Sequence, residues 1–180
     1  MSKYDDLDAR TELEQTIAQD LEAAFKKRGF QIKHNGTTTS SAPGGVPDIE
    51  VWNSNTVITF EVTKRKGAQQ DSELNSIRDH LQRTQANNPN KQCFCVFVSP
   101  ETAYRMIEGI RDYNRQRASE GKKDLKILPL CFDTLELYLN RLIESDAALY
   151  PVSDFLKVFE HFNDFVDDLR IRKLVLQEVF

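Results

Sequence analysis

The residues of this chain best placed to do chemistry are Asp48 and Glu61. Asp48 follows Pro47 at the end of a Gly-rich loop and opens an extended run, DIEVWN (48–53). Glu61 lies near the end of a second run, TVITFEVTK (56–64), beyond the apolar Val57, Ile58 and Phe60. An acid inside an apolar strand loses its hydration at high cost unless something compensates it. The turn Asn53-Ser54-Asn55 joins the two runs, and residues equidistant from the turn of a hairpin face each other. Asp48 is six residues before Ser54 and Glu61 seven after, so their carboxyl groups are expected to be near neighbours. Two close carboxylates repel, and a divalent cation is their natural neutraliser. Mg²⁺ suits such a pair, because it takes oxygen ligands from one or two carboxylates and keeps waters that can attack a phosphate. The bland alternative is an edge hairpin in which Asp48 caps a turn and Glu61 pairs with Lys64 or Arg65.

The elements that must position these acids can be read from the pattern. Residues 10–28 place Leu13, Ile17, Leu21, Ala24 and Phe25 at helical spacing, and Gly29 stops that helix. GFQIKHNG is a short extended piece, and TTTSSAPGG (37–45) is a loop. The hairpin follows, its strands marked by alternation and β-branched residues. Residues 70–86 form a helix carrying Leu74, Ile77 and Leu81. QCFCVFVSP is a strand whose unbroken apolar run implies cover on both faces. A helix over 101–118 turns Tyr104, Ile107, Ile110 and Tyr113 inward. Then come the polar loop SEGKKD, a strand LKILPLCF, a helix TLELYLNRLIES, and a helical segment over 151–180 with Phe155, Phe159, Phe162 and Phe165. Strands alternating with helices predict an α/β fold around a mixed sheet, in one domain spanning 1–180.

Composition narrows the function class. At 180 residues the chain is long enough for one sizeable core. No apolar run is long enough to span a membrane, and the start MSKYDDLDAR is too acidic and polar for a secretory signal. Cys93, Cys95 and Cys131 lie in apolar surroundings with no second Cys/His pair nearby. They are expected to be reduced core thiols of a cytoplasmic protein rather than a disulfide frame or a zinc site. The formal net charge of −4 argues against a free-standing, sequence-independent binder of nucleic acid. Basic clusters are local: Lys64-Arg65-Lys66 beside the acids, Arg111 to Arg117, and Lys122-Lys123, the last two expected on solvated surface.

Pro47-Asp48 followed by Glu61-Val62-Thr63-Lys64 on the next strand resembles the PD-(D/E)xK signature of restriction endonucleases. The likeness extends along nearly the whole chain. A helix ending in Gly-Phe, a GG-x-PD loop, the acidic hairpin, a helix, a strand ending in FVS and a Leu-rich helix follow the order of FokI-type (type IIS) cleavage domains. Glu61, Gly67, Glu73 and then Ser76-Ile77-Arg78-Asp79-His80 are similar to the AlwI-like group and to small cleavage subunits of heterodimeric type IIS enzymes. The resemblance implies a restriction-endonuclease-like three-layer sandwich, a mixed central sheet flanked by helices, and Mg-dependent hydrolysis of double-stranded DNA with Mn²⁺ able to substitute.

In such enzymes the metal would be held by Asp48, Glu61 and the carbonyl of Val62. A Glu of the first helix would bind or orient it: Glu14 is the choice, with Glu12 and Glu22 as rivals. The signature sets a Lys two residues after the strand acid, but Thr63 stands there and Lys64 is expected on the opposite face by strand alternation. Thr63, Lys64, Glu73 and His80 are therefore all candidates to complete the catalytic set, with Lys64, Arg65 and Lys66 as contacts to DNA phosphates. No sequence-reading motif is visible, so the resemblance implies a large DNA-recognition subunit as partner, in an assembly where this chain cuts one strand. A structure-specific or repair nuclease acting as a homodimer, an inactive DNA-associated subunit and an unrelated α/β protein are the alternatives.

Overall fold

The computed structural model describes residues 1–36 and 46–145. The expected loop at 37–45 and the expected helical segment at 151–180 lie outside these residues.

Helix α1 (Arg10–Phe25) buries Leu13, Ile17, Leu21, Ala24 and Phe25, the stripe expected from their spacing. A 3₁₀ turn over Lys26–Arg28 tightens its end, and Gly29 adopts φ 79°. The Gly29 N–H donates to Lys26 O at 3.1 Å and the Phe30 N–H to Phe25 O at 3.3 Å. This is a Schellman closure, and it needs a residue that tolerates the left-handed region. Its usual apolar contact is present as well: the Phe25 and Phe30 rings meet edge to face at 5.6 Å.

The sheet is mixed, with strands in chain order: β1 (Gln31–His34), β2 (Ile49–Trp52), β3 (Thr56–Val62), β4 (Gln92–Ser99) and β5 (Ile127–Cys131). β1, β2 and β3 form an antiparallel meander, while β3, β4 and β5 run parallel. The hairpin turn is closed by Asn53, whose Oδ1 accepts from the N–H of Asn55 at 2.9 Å and of Thr56 at 2.8 Å. That local bond is the reason an Asx residue serves there. β3 is central, and all seven of its residues are buried. β4 is buried over Cys93–Ser99, as its unbroken apolar run requires. Pro129 is tolerated in β5 because that strand lies at the sheet edge.

Parallel strands need crossovers, and here they are α2 (Leu74–Asn87) between β3 and β4, and α3 (Tyr104–Ser119) between β4 and β5. Both crossovers advance the same way along the sheet, so the right-handed rule puts both helices on one face. α4 (Phe132–Glu144) follows β5 and packs with α1 on the other. The result is the expected three-layer α/β sandwich with apolar residues of both sheet faces in the core. Among the described residues no helix is long and apolar enough to cross a membrane.

Details differ from expectation. The helix expected from residue 70 starts at Leu74, because Gly67–Ser72 forms a 3₁₀ turn first. The inward face of α3 is Met106, Ile107, Ile110 and Asn114, with Tyr113 half-buried. Tyr104, expected inward, is 66% exposed. It is the first residue of the helix, one turn before the part that packs on the sheet.

Candidate functional site

The β2–β3 register pairs Ile49 with Phe60 and Val51 with Ile58. Extended by one residue, it sets Asp48 opposite Glu61, as the hairpin count predicts. Both acids are buried. Asp48 stands where β2 begins, and its Oδ2 accepts the Val62 N–H at 2.8 Å. The next amide, Thr63 N–H, turns the other way and donates to Val98 O at 2.9 Å. A trans peptide is planar, so the Val62 carbonyl must point away from β4, toward the Asp48 edge. Two carboxylates and one main-chain carbonyl thus converge where β2 begins and β3 ends.

Each acid has a basic partner. Glu61 Oε1 lies 2.8 Å from His80 Nδ1, which α2 projects back onto the sheet, and His80 Nε2 lies 3.4 Å from Ser76 Oγ. Among the described residues nothing bonds to Glu61 Oε2. Both Asp48 oxygens accept from one terminal nitrogen of Arg10, at 3.0 and 3.1 Å, while Arg10 Nε donates to Glu14 Oε1 at 2.6 Å. The other oxygen of Glu14 lies 3.4 Å from His34 Nε2. Gly36 closes this corner: a Cβ there would fall 2.5 Å from Glu14 Oε2 and 3.1 Å from His34 Nε2.

Electrostatics follow from burial and pairing. Burial pushes the Glu61 carboxyl from 4.5 to about 7; the His80 hydrogen bond opposes this rise, and the facing Asp48 adds to it. Asp48 is also raised, by burial first, although the Val62 N–H and Arg10 hold it down and Glu14 pushes it up. His80 is raised because its proton bonds to Glu61. Burial weakens the charge on Arg10, but Asp48 and Glu14 outweigh it, and the guanidinium stays cationic.

The sequence-derived candidates separate into groups. Asp48, Glu61, Val62, Glu14 and His80 come together, and Glu12 and Glu22 are exposed on α1 away from them. Glu73 does not join His80 at a common partner: it precedes α2 and pairs with Arg65 at 2.8 Å. Thr63 is buried, and its Oγ1 accepts the Arg65 N–H at 3.2 Å. Lys64 points away from Glu61, as alternation requires, and its Nζ donates to the carbonyls of Leu7 and Asp8. Of the three basic side chains after Thr63, that of Lys66 alone has no hydrogen-bond or ion-pair partner among the described residues. The bland alternative for the hairpin is not what is seen, since Glu61 bonds to His80 rather than to Lys64 or Arg65. Cys93, Cys95 and Cys131 are free thiols.

Arg10, His34 and Gly36 were not among the candidates. The four-residue spacing of Arg10 and Glu14 marks an intrahelical pair. Nothing local indicates that the same guanidinium reaches Asp48, 38 residues away.

Among the described residues no three His, Cys, Asp or Glu side chains stand together as a ready-made metal cluster. The donor set nonetheless fits a hard divalent cation, with two facing carboxylates, an unbonded carboxylate oxygen and a main-chain carbonyl on one edge.

No curated protein matches the chain. Among solved structures, it is similar to the small subunit of the heterodimeric restriction endonuclease R.BspD6I, with a TM-score of 0.60 at 16% identity, over 86% of this chain and 87% of that one. At that identity the likeness establishes the fold. The family model for the AlwI restriction endonuclease matches residues 13–138, which take in most of α1, the acidic hairpin, α2, α3 and the first half of α4. This chain belongs to the AlwI restriction endonuclease family.

Proposed function

We propose that this chain is the cleavage subunit of a type IIS restriction endonuclease. It hydrolyses one strand of double-stranded DNA with a divalent metal while a larger partner reads the sequence. The observation that carries this reading is the buried Asp48–Glu61 pair, facing across β2 and β3 in a chain of this family. The partner follows from the resemblance to a small subunit of a heterodimer and from the acidic net charge, which suits a module held on DNA by another protein.

Asp48, Glu61 and the Val62 carbonyl would hold the metal, with Glu14 beside Asp48. A Mg²⁺ or Mn²⁺ ion held there would lower the pKa of water and stabilise charge on the scissile phosphate. The protein's own part is positioning. The Val62 N–H fixes one Asp48 oxygen, and His80 Nδ1 fixes one Glu61 oxygen through a shared hydrogen bond. Lys66 is the basic residue open to a DNA phosphate, whereas Lys64 and Arg65 have internal partners. Thr63 replaces the usual lysine, so no ammonium group stands two residues after Glu61. The reduced thiols suit a cytoplasmic protein.

The test is calorimetric titration of the metal-free chain with Mn²⁺, with Asp48→Asn and Glu61→Gln alongside, and plasmid cleavage with and without the candidate large subunit. Binding lost in both variants and cleavage that needs the partner support the proposal. Cleavage at the wild-type rate by either variant would overturn it. The position of Lys64 favours a second reading, a DNA-associated subunit without activity. Metal binding with no cleavage in the full complex would establish that instead. Cutting of branched DNA by the chain alone would point to a homodimeric repair nuclease.

A further inference from the structure

Arg10 occupies a position that the proposed chemistry does not explain. It stands at the first residue of α1, its side chain 52% exposed, yet its head group joins two of the most buried acids among the described residues. The planar fork of a guanidinium suits this: Nε serves Glu14 and one terminal nitrogen serves both oxygens of Asp48. With the Val62 N–H added, Asp48 accepts three hydrogen bonds. Arg10 and an incoming cation compete for the same two oxygens, because the Asp48 charge is already offset by a guanidinium about 3 Å away. The exposed stem can swing outward without opening the core.

We infer that Arg10 is a built-in competitor of the catalytic cation: it neutralises Asp48 and Glu14 while the site is empty and must leave Asp48 for a divalent metal to bind. The inference rests on the metal-site reading above. It makes the first turn of α1 a gate on metal loading, with Glu14 as the point to which the displaced arginine stays tethered through Nε. Displacing a half-exposed ion pair should lower metal affinity about fivefold.

The experiment is calorimetric titration of the metal-free full chain with Mn²⁺ alone, together with its thermal denaturation in EDTA and in Mn²⁺. Arg10→Gln should bind Mn²⁺ about fivefold more tightly than the wild type, melt lower in EDTA, and gain more from Mn²⁺. Arg10→Met keeps the aliphatic stem but not the charge, so it should also bind more tightly and covers the case in which the glutamine variant does not fold. Arg65→Gln, which removes a cation paired with Glu73 instead, should bind like the wild type. Unchanged or weaker binding in the Arg10 variants, with wild-type binding that Asp48→Asn abolishes, overturns the gate and leaves the metal site standing. Equal tightening by Arg65→Gln overturns the gate too, because net charge alone would then account for it. No binding by the wild type or by any variant overturns the metal site, and the gate with it.

Discussion

Replacing Glu61 with glutamine should make the metal-free protein more stable at neutral and alkaline pH. Burial pushes the Glu61 carboxyl from 4.5 to about 7, against the pull of His80 and with the push of Asp48. The folded state therefore holds that proton more tightly than the unfolded chain does. The resulting stability is fully present below about pH 4.5 and is lost as pH rises through about 7. A rise of that size, at about 1.4 kcal/mol per pH unit, amounts to about 3 kcal/mol. Coupling to His80 makes 1–3 kcal/mol the useful range, given roughly twofold to threefold context dependence. His80, raised by the same hydrogen bond, adds to the slope in the same sense: its share is present below 6.5 and lost as pH rises above it. Glutamine keeps the shape and can accept from His80 Nδ1–H, but it carries no charge beside Asp48. Urea unfolding in EDTA, followed by the fluorescence of Trp52, the one tryptophan, provides the assay. With a slope of about 2 kcal/mol per molar urea, the Glu61→Gln midpoint should exceed that of the wild type by about 1 M at about pH 8 and match it at about pH 4. Parallel pH profiles, or a variant weaker at pH 8, would refute the argument that Glu61 is a strained buried acid.

Three further substitutions test the supports of the site. Lys64→Met removes the donor to the Leu7 and Asp8 carbonyls and should cost about 1–2 kcal/mol in urea unfolding, with Mn²⁺ affinity unchanged. Loss of Mn²⁺ binding would instead place Lys64 in the site. Gln70→Leu should cost about 2–4 kcal/mol, because the fully buried amide bonds Arg65 O, Glu101 O and Ala103 N, and leucine would leave the first and the last of these unpaired. An unchanged urea midpoint would show that water replaces those bonds. Gly36→Ala would force Glu14 away from a Cβ only 2.5 Å from its Oε2 and should lower stability by about 1–2 kcal/mol. An unaltered melting temperature would mean that Glu14 moves freely and is not held for a purpose.

The order of elements and the acidic pair were legible in the sequence because their signals are local. Leu13, Ile17, Leu21 and Phe25 repeat at the helical period, Gly29 must close the helix, and Asn53 must turn the hairpin. Facing carboxylates follow from counting outward from that turn, since register across a hairpin is arithmetic. Alternation alone also turned Lys64 away from Glu61. The same reasoning failed for Tyr104, because periodicity gives a direction around the helix but not where the covering layer ends. Glu73 and His80, seven residues apart, serve different partners, since α2 begins only after Glu73. Only the tertiary structure decided what neutralises the acids. Arg10 reaches Asp48 across 38 residues, and His80 reaches Glu61 across 19, because α1 and α2 pack on opposite faces of the sheet and each sends a side chain to the end where β3 stops. A sequence records which charges exist. Which of them share a buried space depends on the packing of layers that are far apart along the chain.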